Sequence, residues 1–337
     1  MSRPDFTAKK NNRHPPAIPN KDDGKLLHPR NKHRARYDFA RLLGAEPALQ
    51  VHIQQTPVGE TTINFSHPDA VRLLNRAILL ESYGIQKWDI PAHNLCPAVP
   101  GRIDYLHYLA DVLAASHGGK PPSGSNIRAL DIGTGASCIY PLLGSSEFGW
   151  QFVASDINPA SLAHAQTILD ANPVLGQRIE LRLQTDSDSI LKGIIGPDDW
   201  FDVSLCNPPF HASAAEAQAG SQRKWQNLGK PDNKAESTLN FSGHDAELWC
   251  PGGEQSFIER MIQESALMPT RCFWYTTLVS RSASLPAIHA ALRRVKVQQQ
   301  QTITMRQGNK ESRLVAWTFL SPAQQSAWAK LRWSTRS

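Results

Sequence analysis

Asn207-Pro208-Pro209-Phe210 carries the groups needed to grip a planar amine. It follows Phe201-Asp202-Val203-Ser204-Leu205-Cys206, whose composition predicts a buried strand. The Asn207 side-chain oxygen and the Pro208 main-chain carbonyl are two acceptors for one NH2 group, and Phe210 is a flat face on which a base could stack. The lone pair of an aromatic amine is delocalised into its ring. Acceptors on both protons favour a pyramidal nitrogen and aim that lone pair at an electrophile. Such a site suits methyl transfer to nitrogen by in-line displacement, driven by positioning and electrostatics. It needs no strong base, because the proton becomes acidic once the nitrogen is alkylated. Asn-Pro is also a common turn start. What sets this one apart is its place at the end of an apolar run, about 75 residues after a second motif.

That second motif is Leu130-Asp131-Ile132-Gly133-Thr134-Gly135. Gly133 and Gly135 let the backbone turn tightly beside a ligand. Asp156, at the end of the next apolar run, can accept hydrogen bonds from both hydroxyls of a ribose. Asp131 is expected to orient the glycine turn and a cationic part of the ligand. A nicotinamide cofactor also needs a ribose acid, but its fingerprint has a third glycine where Cys138 stands here. S-adenosylmethionine, which has no pyrophosphate, fits the turn better.

These motifs need a sheet to bring them together. From Ile127 onward apolar runs and helical patterns alternate. Strands are predicted at Ile127–Ile132, Gln151–Ser155, Ile179–Leu183, Phe201–Cys206 and Arg271–Val279. Helices are predicted at Pro159–Ala171, 187–195, Phe257–Leu267 and Leu285–Arg294. Two last strands, near 295–304 and 313–320, have no helix between them and predict an antiparallel edge hairpin. The fold class is α/β, a mostly parallel seven-stranded sheet with helices on both faces. A helix with Ile103, Leu106, Leu109, Ala110 and Leu113 on one face precedes it, after a proline-rich connector at 88–101. Residues 26–100 read as a small helical module, 101–320 as the main domain, 1–25 as a disordered basic tail and 321–337 as a C-terminal tail. The polar, glycine-containing stretch 211–255, with Arg223-Lys224-Trp225, is long enough to be a substrate-gripping loop.

Charge is uneven. Residues 1–36 hold ten Lys or Arg against three acids, +7 of a net +6, which leaves the rest of the chain near −1. A basic arm on a neutral body is the footprint of a polyanion partner, although a solubilising tail has the same charge. Arg30, Lys32, Arg34 and Arg36, interleaved with His28, His33 and Tyr37, suit phosphate contact with base stacking; Arg223 and Lys224 are further candidates. The five cysteines show no paired or zinc-finger spacing, and His211, His244 and Cys250 match no metal-site class. No export signal or apolar run of membrane-spanning length is present. The expectation is a cytoplasmic protein, working as a monomer without metal or membrane.

Cys96-Pro97, Pro100-Gly101-Arg102, Asp131 to Leu142 (DIGTGASCIYPL) and Cys206 to Phe210 together resemble the bacterial 23S rRNA adenine-N6 methyltransferases, from about Leu27 to Leu320. A human methyltransferase-like protein is a more distant relative. The resemblance implies a class I Rossmann-like core, S-adenosylmethionine as donor and the adenine at position 1618 of 23S rRNA as substrate. It also implies that Arg102 lies at the cofactor, near the methionine carboxylate. From the residues alone Arg102, after a Pro-Gly turn, reads as a surface residue at a helix start. Thr185 and Asp186 are held as neighbours of the donor's adenine ring. Guanine N2 or a protein glutamine amide would suit an Asn-Pro-Pro-aromatic site too, and an RNA binder without activity in ribosome assembly is a third reading. The basic arm weighs against a protein substrate and the intact Asn207 against an inactive binder.

Overall fold

The computed structural model describes residues 27–91, 94, 96–211, 213, 249–307 and 310–333. Residues 1–25, Arg223, Lys224 and most of the 211–255 loop lie outside them.

Phe39–Ala45 (α1), Ile53–Gln55 (β1), Thr61–Ile63 (β2) and Pro68–Tyr83 (α2) form the N-terminal part. Next come Val99–Ala114 (α3), Arg128–Ile132 (β3), Ile139–Phe148 (α4), Gln151–Asp156 (β4), Pro159–Asp170 (α5), Pro173–Gly176 (α6), Ile179–Leu183 (β5) and Phe201–Cys206 (β6). Gly253–Leu267 (α7), Cys272–Val279 (β7), Leu285–Arg294 (α8), Gln299–Gln307 (β8), Lys310–Thr318 (β9) and Pro322–Arg332 (α9) complete the order.

In the described residues a seven-stranded sheet runs β5-β4-β3-β6-β7-β9-β8. The first five strands are parallel, and β9 is antiparallel to both β7 and β8. This is the α/β arrangement expected from the alternation. Strand order reverses at β3, between β4 and β6, so a crevice opens at the carboxyl ends of these three strands. All six residues of β6 are buried, as a central parallel strand covered on both faces requires. Helix α5 starts where Asn158 accepts from Ala160 N at 2.9 Å with Pro159 in the first turn. Helix α4 lies so close to β4 that a Cβ on Gly144 would sit 2.3 Å from the Phe152 ring.

Four expectations need correction. The 26–100 module is not purely helical, since β1 and β2 pair as an antiparallel hairpin. Nor is it separate in its packing: Phe39, Leu74, Ile78 and Trp88 share one core with Leu106, Leu143 and Phe152. Residues 187–195 form turns instead of a helix, because the amides of Ile190, Leu191 and Lys192 all point at the buried Glu264 carboxylate. The C-terminal tail contains α9, which opens with a capping box at Ser321 and Gln324. Asp202, fully buried at the start of β6, draws it in by accepting from Trp328 Nε1 (2.7 Å), Trp333 Nε1 (2.8 Å) and Arg332 Nε (3.1 Å).

From His28 on, the basic arm is docked. Asp104 accepts from His28 N at 2.6 Å. Arg30 pairs with Asp111 at 2.7 Å, Lys32 with Glu147 at 2.7 Å, and Arg36 with Glu60. No ion pair of Arg34 is found among the described residues.

Candidate active site

Register fixes what meets at the crevice. Ile132, the last residue of β3, pairs with Ser155 on one side and Cys206 on the other. The next residues, Gly133, Asp156 and Asn207, therefore leave three adjacent strands at one level. Gly133 and Gly135 both adopt positive φ, +74° and +63°, and a Cβ on Gly133 would meet open space. Gly133 N and Thr134 N both donate to Ser155 O at 2.9 Å.

One contact expected of Asp131 is made by Asp156 instead. Asp156 is the one that orients the glycine turn: its Oδ2 accepts from Gly135 N at 2.8 Å and its Oδ1 from Asn158 N at 2.9 Å. Each oxygen keeps a lone pair for a ribose hydroxyl. Burial raises the Asp156 pKa, and the backbone donors oppose that rise. Asp131 is fully buried, and among the described residues no hydrogen bond of good geometry reaches its carboxylate oxygens or the Thr134 hydroxyl beside it. Burial pushes Asp131 up to about 7; the nearby Thr134 hydroxyl and the Arg102 guanidinium counter the rise, and the charge of Asp156 adds to it. Three buried oxygens short of well-formed hydrogen bonds among the described residues fit a ligand that brings cationic N–H donors. The methionine end of S-adenosylmethionine carries such a group.

Arg102 is not a surface residue. It is half-buried in the first turn of α3, donates from Nη1 to Tyr140 Oη at 2.8 Å and lies 5.4 Å from the centre of that ring. Tyr140 opens α4 directly after the glycine turn, so Arg102 faces the crevice that Asp131 lines. A carboxylate beside Asp131's partner would meet this guanidinium.

On the acceptor side, Asn207 is half-buried, and its side-chain amide makes no hydrogen bond among the described residues. Pro208 is buried and Phe210 half-buried, its ring edge-on to His211 at 5.9 Å. His211 and Trp249 form a parallel bridge, and Cys250 N donates to His211 O at 3.1 Å. The two ends of the 211–255 stretch thus meet beside Phe210.

The adenine side of the crevice follows β5. Thr185 is exposed at the strand's end, and Asp186 accepts from Ser189 Oγ at 2.7 Å and Asp188 N at 3.0 Å. Ile157 and Leu183, at neighbouring strand ends, are 46% and 43% exposed, a large fraction for aliphatic side chains beside a crevice. Glu264 of α7 holds the wall behind them through the three amides of residues 190–192, at 2.7 to 3.0 Å.

Arg34 and Arg36 do not reach this crevice. With Tyr37, Phe65, Pro100 and Gln307 they line a separate groove of about 730 Å³. Its Pro100 end lies two residues from Arg102. Sequence reasoning missed Trp88, whose indole N–H donates to Ser137 O at 2.9 Å and braces the glycine turn from the N-terminal part. It also missed Tyr105, Tyr140 and Glu264. The signal for Glu264 was there: a glutamate at a position that α7's periodicity turns toward the core. Among the described residues no group of three or more His, Cys, Asp or Glu could hold a metal ion, and no helix is long and apolar enough to cross a membrane.

Comparison with known proteins agrees with this geometry. A family model described as RNA methyltransferase matches residues 21–321. Ribosomal RNA large subunit methyltransferase F of Pseudomonas aeruginosa is 52% identical over 309 residues, covering 91% of this chain and 92% of that protein. The protein of the same name from Pseudomonas syringae pv. syringae is 53% identical over 301 residues, 89% of this chain and 92% of its own. Among solved structures, the human METTL16 catalytic domain in complex with the MAT2A 3'UTR hairpin 6 superposes with a TM-score of 0.72 at 31% identity, covering 88% of this chain and 98% of that one. The N-terminal domain of human METTL16 in complex with SAH gives 0.69 at 28% identity, covering 88% and 100%.

Proposed function

The chain belongs to the RNA methyltransferase family that matches residues 21–321, and from that premise we propose that it methylates N6 of one adenine in 23S rRNA with S-adenosylmethionine as donor. The observation that carries the reading is the level shared by two sets of polar groups. The buried Asp131 and Thr134 oxygens lie at the end of β3, and the Asn207 amide follows β6, its register neighbour. The names of the curated relatives support the large-subunit rRNA as substrate.

Bound S-adenosylmethionine supplies a methyl group on a positively charged sulfur. Arg102 would hold its carboxylate, Asp131 and Thr134 its amino group, Asp156 its ribose, and Ile157, Leu183 and Thr185 would flank its adenine. Asn207 Oδ1 and the Pro208 carbonyl accept the two N–H bonds of the target amine. Phe210 stacks on a base drawn out of its own helix. Once the nitrogen carried the methyl group its proton would be acidic and would leave to water, so no side chain need act as a strong base. The orientation by Asn207 is worth most in the transition state, where the lone pair must be localised. Arg34 and Arg36 beside their groove, with Arg30 and Lys32 more deeply tied, supply phosphate contacts remote from the chemistry, and Arg223 and Lys224 of the 211–255 loop extend that grip. A large-subunit rRNA substrate and unpaired cysteines fit a cytoplasmic enzyme.

The test is transfer of labelled methyl from the donor to 23S rRNA or to a release-factor protein. Label should enter RNA, as N6-methyladenosine on nucleoside mass analysis, and Asn207→Ala should lower turnover at least a hundredfold while donor affinity holds. Label confined to protein, or full turnover by Asn207→Ala, refutes the reading.

A further inference from the structure

Sheet pairing changes just before the acceptor motif. Between β6 and β7 the registered pairs are Phe201 with Cys272 and Val203 with Trp274, and none follows. Between β3 and β6 the pairing continues to Cys206. Beyond Val203 the β6–β7 backbone ladder gives way to side-chain hydrogen bonds, at the point where the chain must present Asn207.

A phenol from another layer occupies the opening. Tyr105, fully buried on α3, accepts from Cys206 N at 3.4 Å and is 2.8 Å from Thr276 Oγ1 of β7. Thr276 Oγ1 donates its single proton to Ser204 O at 2.6 Å, and Thr276 N donates to Ser204 Oγ at 3.3 Å. Proton direction is therefore fixed. Thr276 has nothing left to donate, so Tyr105 Oη–H donates to Thr276, and a Tyr105 lone pair receives the Cys206 amide. Burial raises the Tyr105 pKa well above its ordinary value, so the phenol stays neutral and able to do both.

We propose that Tyr105 is a positioning residue for methyl transfer, setting the Asn207-Pro208 acceptors by fixing the amide of the residue before them. The role rests on Asn207 being the acceptor. Tyr105 is enclosed and cannot touch substrate, so it acts only through Cys206. Its helix gives that placement a second use. Arg102 stands one turn earlier on α3 and donates to Tyr140, whose ring packs edge-on against Tyr105 at 5.6 Å and 86°. One helix therefore locates both the cation at the donor's methionine end and the carbonyl pair at the target amine. The distance between donor and acceptor becomes a property of α3 and not of the crevice loops.

Tyr105→Phe in the full chain keeps the ring and its Tyr140 contact and removes only Oη. Its kcat should fall about tenfold or more, since small misplacements of reacting groups are costly; donor Kd and the KM for rRNA should stay within about twofold. Thr276→Val, which removes the partner holding the phenol, should lower kcat in the same selective way and carries the test if Tyr105→Phe does not fold. A folded variant with unchanged kcat overturns the proposal. So does a loss of kcat matched by an equal weakening of donor binding, which a general loosening of the core would produce. Asn207→Ala assayed in parallel separates the two readings. If it is inactive while Tyr105→Phe turns over normally, only the positioning role fails; if it is fully active, the acceptor assignment itself has failed.

Discussion

In the ligand-free chain, ionising Asp131 works against folding. Its pKa rises from 3.8 to about 7, chiefly because the carboxyl group is fully buried. Each pH unit of that rise is about 1.4 kcal/mol, so the full effect is about 4 kcal/mol. The acid is protonated in the fold and ionised in the unfolded chain between these two values. The stability it allows is thus complete below pH 4 and lost as pH climbs through 7. Roughly 2.5 kcal/mol of the loss falls between pH 5 and pH 8. Asp131→Asn has the same shape without the charge and removes that slope. Urea midpoints of both proteins at pH 5, 6, 7 and 8 should diverge, with the variant gaining on the native chain at each step by an amount that totals roughly 2.5 kcal/mol. Donor binding has the mirrored dependence. Only the carboxylate pairs with a cationic ligand, so native affinity should rise up to about tenfold per pH unit toward 7 and then level off, while Asp131→Asn should bind weakly and without that slope. Parallel stability curves for the two proteins from pH 5 to 8 would refute the assignment of a strained, ligand-seeking carboxylate.

Glu264→Ala leaves the amides of residues 190–192 unpaired behind the adenine wall. It should weaken donor binding about tenfold by calorimetry, with kcat at saturating donor near native; unchanged affinity would mean the wall stands without it. Asp202→Ala strips one acceptor from Trp328, Trp333, Arg332 and Arg128 N together. Urea unfolding should show a loss of about 3–5 kcal/mol. Asp202 lies at the end of β6 away from Asn207, so the remaining folded protein should keep its kcat/KM.

The sheet, its edge hairpin and the crevice were legible because strand burial, glycine turns and helix caps are local signals. Pairing of charges across the chain is not local, and there the reading went astray. Residues 187–195 carry a helical composition, but a carboxylate some seventy residues later takes their amides. The arm's Arg30 and Lys32 read as free cations until Asp111 and Glu147 are found beside them. Asp131 and Asp156 were both singled out from the sequence, yet which one braces the glycine turn depends on β4 lying next to β3. Arg102 entered through family resemblance alone, since nothing near it in sequence says that Tyr140 waits across the crevice. Tyr105 had no signal at all: a buried aromatic on a helix's apolar face looks like packing, and only the gap in the β6–β7 ladder gives its hydroxyl a task.

The strap around Asp202 has a temporal consequence. During synthesis this carboxylate leaves the ribosome long before Trp328, Arg332 and Trp333, and β7 likewise precedes its neighbour β9. Until those late residues emerge, the nascent sheet has a charge with few partners and an open flank. Closure of the sheet is therefore tied to the synthesis of residues 310–333.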